Sequence, residues 1–224
     1  MKHMLTALAA LALTMTLGSS EVLAQRGGGG PQEPTTFFIT STPSGNGANF
    51  GGLDGADAHC QTLAAAAGRG DATWRAYLST QGPGAVNARD RIGSGPWHAS
   101  NGQQIAANVA DLHGDVQRDR NQMNRDTALD ENGERINGRG DQPNQHDIIT
   151  GSDSLGRAMS GDGDFTCNNY TSGADGMGST MLGHHDRSGG GNSSWNSAHG
   201  SRGCSAANLV ATGGNGYLYC FAAN

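Results

Sequence analysis

The most chemically loaded stretch of this 224-residue chain is Gly183 to His199, where His184, His185, Asp186, Trp195, Asn196 and His199 fall within 17 residues. Imidazole beside carboxylate is a donor set that zinc or copper prefers. A second chemistry is sugar recognition, with Trp195 stacking on a ring while Asn196, Asp186 and a histidine bind hydroxyls. A third reading is structural. In it the polar groups satisfy the backbone of a long loop, Asp186 pairs with Arg187, and Trp195 belongs to the core. Adjacent residues on a strand point to opposite faces, so His184 and His185 are not expected to share one ion.

Two acidic clusters offer oxygen donors for Ca²⁺: Asp130, Asn132 and Glu134 in one, Asp162 and Asp164 in the other. Neither fits an EF-hand loop, because counting from Asp130 puts Arg135 where glycine belongs. Solvated turns are expected there. G-x-S-x-G, H-E-x-x-H and P-loop patterns are missing from the sequence. The chain is therefore expected to bind rather than catalyse, with no cofactor assigned and with Ca²⁺ and Zn²⁺ as the ions considered.

The elements that must position these groups are drawn from unusual material. The chain holds 37 glycines, only 35% hydrophobic residues and a net charge of −6. That composition excludes a coiled coil, a collagen and a Leu-rich bundle. It leaves a disordered chain or a loop-rich domain held by cross-links, and four cysteines favour the second. Residues 1–24 read as a secretory signal, with Lys2 ahead of an apolar run too short to span a bilayer and cleavage after Ala24. Export makes two disulfides the expected state of Cys60, Cys167, Cys204 and Cys220, with three pairings open. The mature chain has 13 Arg, no Lys and 19 acidic residues, a balance that speaks against nucleic-acid binding. The arginines at 118, 120, 125, 135 and 139 are interleaved with acids and are expected to be neutralised by them.

Residues 25–35 read as a Gly/Pro linker and 36–224 as one domain. Thr36 to Thr40 is β-branched and aromatic, which predicts a first strand. Ala56, Cys60, Leu63, Ala64 and Ala67 recur on one face of a 3.6-residue period, which predicts a helix from an Asp54 N-cap to a stop at Gly68. Trp74, Ala76 and Leu78 alternate as on a strand. Residues 79–147 predict long loops carrying short elements near Ile92, Trp97, Ile105 and Val109–Leu112. Ile148 to Thr150 and Tyr217 to Phe221 are the remaining strands.

The segment GGLDGADAHCQTLAAAAGRGDATWRAYLST (51–80), the Ala110-Asp111-Leu112 and Asp130–Gly133 segments, the Thr150–Ser152 strand end, the isolated Cys167 and the terminal Cys204…Tyr219-Cys220-Phe221 occur in a telling order. In that order the chain resembles the endostatin-like domain of the C-type-lectin-like superfamily over about residues 36–222. The resemblance implies an α+β fold with a twisted, mostly antiparallel sheet, one main helix and long loops. It also implies nested disulfides, Cys60–Cys220 and Cys167–Cys204. The lectin calcium motif is not matched, since Asp141-Gln142-Pro143-Asn144 and Ser194-Trp195-Asn196 stand in its place and Ser197 replaces an acidic ligand. The expected function is non-catalytic, lectin-like binding of carbohydrate or of an extracellular protein surface, without membrane insertion. The alternative is a metal-dependent enzyme or metal-binding protein using His184, His185, Asp186 and His199.

Overall fold

The computed structural model describes residues 32–114, 121–176 and 178–224. The secretory signal, linker residues 25–31, Arg118 and Arg120 lie outside the described residues. The fold is α+β. A six-stranded, mostly antiparallel sheet is organised around the last strand, β8 (Gly214–Ala222). Along β8, Tyr217, Tyr219 and Phe221 face one hydrophobic cluster while Leu218, Cys220 and Ala222 face another. From Tyr217 to Ala222 every residue is apolar or aromatic and buried, so both faces of the strand are covered and it takes the centre.

The first strand, β1 (Phe37–Ile39), pairs antiparallel with it, Phe37 opposite Phe221 and Ile39 opposite Tyr219. Helix α1 (Gly52–Ala66) lays Ala56, Cys60 and Ala64 on the sheet. Its N-cap is Gly51 at φ 79°, not Asp54, which sits one turn inside and complements the helix dipole. Gly68, at φ 75°, ends the helix in the left-handed conformation that glycine adopts without steric cost. The second strand, β2 (Trp74–Ala76), also pairs with β8, and Trp74 meets Phe38 with ring centroids 4.8 Å apart.

Residues 79–147 form long loops with short elements: a 3₁₀ turn at Ala88–Asp90, β3 (Trp97–His98), β4 (Gln104–Ala106) and helix α2 (Val109–His113). Strand β5 (Asp147–Ile149) then joins β8 in parallel, β6 (Met181–His184) pairs antiparallel with β5, and β7 (His199–Gly200) closes that edge. Between β5 and β6 lies α3 (Cys167–Tyr170), a single left-handed turn with φ from 51° to 63° at four non-glycine residues. It is held by a disulfide and by the Tyr170 hydroxyl, which donates to the Ser79 carbonyl at 2.5 Å. Helix α4 (Ala206–Thr212) leads into β8.

The disulfides are the nested pairs, Cys60–Cys220 and Cys167–Cys204, and no cysteine is free. The first ties α1 to the central strand. The second ties α3 to the approach of α4 and encloses β6 and β7. Among the described residues no helix is long and apolar enough to cross a membrane.

Candidate metal centre

Strand register builds the site. Asp147, the first residue of β5, is directly opposite His184, the last of β6. His199, the first of β7, is opposite Leu182. Leu182 and His184 are two apart and share a sheet face, so His199 becomes a diagonal neighbour of His184 on that face. His146 precedes β5, and its ring stacks on that of His184 with centroids 4.3 Å apart. Three imidazoles thus converge on one carboxylate.

Three glycines make this convergence fit. A Cβ at Gly183 would overlap the Trp195 carbonyl, so glycine there lets residues 194–198 lie against β6 and carry His199 in. A Cβ at Gly213 would sit 3.0 Å from Asp147 Oδ2, 3.1 Å from Asn144 Nδ2 and 3.5 Å from the His146 ring. At Gly214 a Cβ would meet the Asp147 carbonyl oxygen at 2.6 Å.

The polar geometry is unusual. Asp147 is fully buried, yet neither carboxylate oxygen accepts a hydrogen bond from any described residue. Around its Oδ1 stand the Nε2 atoms of His184 at 3.2 Å, His146 at 3.4 Å and His199 at 3.6 Å. The His184 and His199 Nε2 atoms are 2.9 Å apart. The ligand atoms of His146, Asp147 and His184 all lie within 4.8 Å of one another, a spacing that one ion of the zinc class could bridge, and His199 stands beside them.

The far sides of the rings fix their roles. His146 Nδ1 contacts Asp186 Oδ1 at 3.3 Å, and His199 Nδ1 contacts the Gly200 carbonyl at 3.2 Å. Both partners are acceptors, so each Nδ1 must donate, and a neutral ring then carries a lone pair on Nε2. A carboxylate oxygen faced by such lone pairs is matched by a cation between them, a proton or a metal ion; on the third ring, His184 Nδ1 has no hydrogen-bond partner among the described residues. An outer carboxylate orienting a ligating histidine is a recurring part of metal sites.

Asp186 is therefore an outer partner and not a donor to the cluster. Burial pushes its carboxyl up, but hydrogen bonds from His146, the Arg139 N–H at 2.6 Å and the Ser188 N–H at 3.0 Å outweigh that and hold it well below the usual carboxylate range. Nor does it pair with Arg187, whose guanidinium reaches Asn121 at 2.8 Å. His185 falls on the opposite face, with Nε2 3.1 Å from the Asn137 carbonyl. Burial pushes its imidazole down to about 4, so it is neutral at pH 7. Of the four residues grouped by sequence as a metal set, His184 and His199 belong to the cluster, while His185 and Asp186 do not.

The sugar-stacking arrangement is also corrected. Trp195 is only 3% exposed, with its ring 4.8 Å from Tyr77 and 5.4 Å from Tyr219, so although it lines a cleft with Asn196 it offers little surface to a pyranose. Asn196 is buried as well. Its amide donates to the Tyr77 hydroxyl at 3.0 Å and the Asp153 carbonyl at 3.2 Å, and its oxygen accepts from Ser194 at 2.9 Å. Aromatic packing and backbone satisfaction use both side chains.

The calcium candidates lie in turns. Asp130 Oδ1 accepts the N–H groups of Asn132 at 2.8 Å and Glu134 at 2.9 Å, a self-capped turn, and Asn132 and Glu134 are exposed. Asp164 likewise caps the turn into α3 through the N–H groups of Thr166 and Asn168. Of the arginine cluster, Arg125 is paired with Asp141.

The residues that sequence reasoning missed are His146 and Asp147. They stand 37 or more positions before His184, at the edge of a segment read only as a strand. A second His-Asp step in the chain, 146–147 beside 185–186, was the one available signal, and it does not reveal the pairing. A cleft of about 460 Å³ opens above the cluster, lined by His146, His184, His199, Arg139, Asn144 and the Gly189–Asn192 loop. The chain matches no known protein-family model and no curated protein.

Proposed function

We propose that this is an exported metal-binding protein whose ion, of the Zn²⁺ class, is held by His146, Asp147, His184 and His199. The observation that carries this reading is the fully buried Asp147 carboxylate, without a hydrogen bond among the described residues and faced by three Nε2 atoms at 3.2–3.6 Å. Three imidazoles and one carboxylate suit zinc, copper or nickel, and a hard ion such as Ca²⁺ takes oxygen donors instead. The cleft above the rings gives the ion access to a small molecule.

The fold is read as C-type-lectin-like, of the endostatin-like kind. Support comes from paired first and last strands, one principal helix, long loops and nested disulfides. This reading keeps binding as the activity, with the ion as the anchor in place of Trp195. A carbohydrate or an extracellular protein surface is the partner class that the likeness supports. A second cleft, of about 700 Å³ and lined by Asn121, Ser154 and the Asn192–Ser194 segment, offers hydroxyl- and amide-rich surface to such a partner.

The test is elemental analysis and calorimetric titration of chelator-stripped protein. One equivalent of Zn²⁺ should bind, and His184→Gln or Asp147→Asn should abolish binding. Absence of stoichiometric Zn²⁺, Cu²⁺ or Ni²⁺ from the wild-type protein would overturn the assignment.

A further inference from the structure

We propose that the cleft side of this centre takes a small oxyanion, a carboxylate or phosphate group, anchored at one end by the ion and at the other by Arg139; the inference rests on the metal assignment above. Arg139 is exposed and lines the same cleft as His146, His184 and His199. Its backbone is fixed, because its N–H donates to the buried Asp186 carboxylate at 2.6 Å. The side chain lies against the Gly189 turn, where an added Cβ would come within 2.5 Å of Nη1. Its guanidinium makes no hydrogen bond to a described residue, so its fork of donors is free to meet a ligand.

Charge selects the class of that ligand. No Asp or Glu lines the cleft, and Asp147 lies fully buried beneath it. A divalent ion over Asp147, with Arg139 at the rim and Asp186 behind His146, leaves the cleft with net positive charge in a protein of formal charge −6. Low-dielectric walls focus such a field, and an anion gains from it where a neutral sugar does not. An imidazole-rich site binding borderline metals also favours an anionic oxygen over a hydroxyl as an added donor. The planar guanidinium matches carboxylate and phosphate geometry in a two-pronged way that lysine cannot reproduce. A cleft of about 460 Å³ lies within the range of about 300–1,000 Å³ typical of small-molecule sites.

Cobalt gives a direct readout, since its visible bands report each change in its ligands. Co²⁺-loaded protein is titrated with sodium acetate, sodium phosphate and, as the neutral comparator, glucose. Saturable band shifts with acetate or phosphate are expected, with no response to glucose. In Arg139→Gln, which keeps the backbone N–H to Asp186, the cobalt bands should form but the anion midpoint should rise about tenfold or more. Bands that neither anion moves, an anion response undiminished in Arg139→Gln, or an equal response to glucose would each overturn the proposal. Failure of Co²⁺ to bind at all is seen before any anion is added, and it removes the metal assignment itself.

Discussion

Replacing Asp147 by asparagine separates a metal ligand from a structural anchor, because the two roles predict opposite signs. Asparagine is nearly isosteric and fits between Gly213 and Gly214, where the carboxylate now lies. In metal-free protein the Asp147 carboxyl is fully buried with no hydrogen bond among the described residues. Leaving such a group unsatisfied costs about 1–3 kcal/mol, more when it is charged. The metal-free Asp147→Asn variant should therefore be more stable than metal-free wild type. For a chain of this size about 1 kcal/mol moves Tm by about 2–4 °C, so a rise of about 2–12 °C is expected. Zinc should act the other way. At a free concentration about 100 times Kd it stabilises wild type by about 2.7 kcal/mol, or about 5–10 °C, and it should leave the variant unmoved. Thermal denaturation followed by circular dichroism, with chelator and with Zn²⁺, gives all four numbers. If the variant instead lost about 3–5 kcal/mol in chelator, as when one partner of a buried ion pair is removed, and zinc did not shift wild type, Asp147 would be a structural anchor to the histidines and the metal reading would fail.

Other consequences can be checked alongside. Gly213→Ala replaces no ligand, but it puts a Cβ 3.0 Å from Asp147 Oδ2 at φ 136°; zinc affinity measured by calorimetry should fall, with about 1–3 kcal/mol of strain in urea unfolding. Trp195→Ala should cost about 3–5 kcal/mol in the same unfolding assay, since the ring is core, and an unchanged midpoint would refute that placement. The Cys60–Cys220 bridge closes 160 residues and Cys167–Cys204 closes 37, so in the chain-entropy model their loss costs about 5 and about 4 kcal/mol. Serine replacement of the shorter bridge should also weaken zinc binding, because that loop carries His184 and His199; equal zinc affinity with and without it would count against this coupling.

Much of the scaffold could be read directly. The aromatic alternation of residues 217–221 marks the central strand, and the spacing of Ala56, Cys60 and Ala64 marks the face of α1 that meets the sheet. Both patterns are local, arising from how one element buries one or two faces. The start of α1 was misplaced for a local reason as well: Gly51 and Gly52, both at positive φ, begin the helix where a polar cap was expected at Asp54. In the 184–199 segment, residue type marked a stretch that contributes His184 and His199 to the cluster but could not divide it. Alternation separated His184 from His185, whereas nothing local distinguished a buried Trp195 from an exposed one.

The sequence by itself determined which side chains could do chemistry here and which elements would carry them: histidines on short strands, cysteines to close long loops, glycine where the chain must turn or approach closely. Tertiary structure alone decided which of those side chains meet. Asp147 faces His184 because β5 pairs with β6 in one register, and a slip of one residue would turn either side chain to the other face of the sheet. His199 joins them only because Gly183 lets a distant loop lie against the strand. A donor set is a statement about distances near 3 Å, and strand pairing sets those distances between residues that the chain keeps dozens of positions apart.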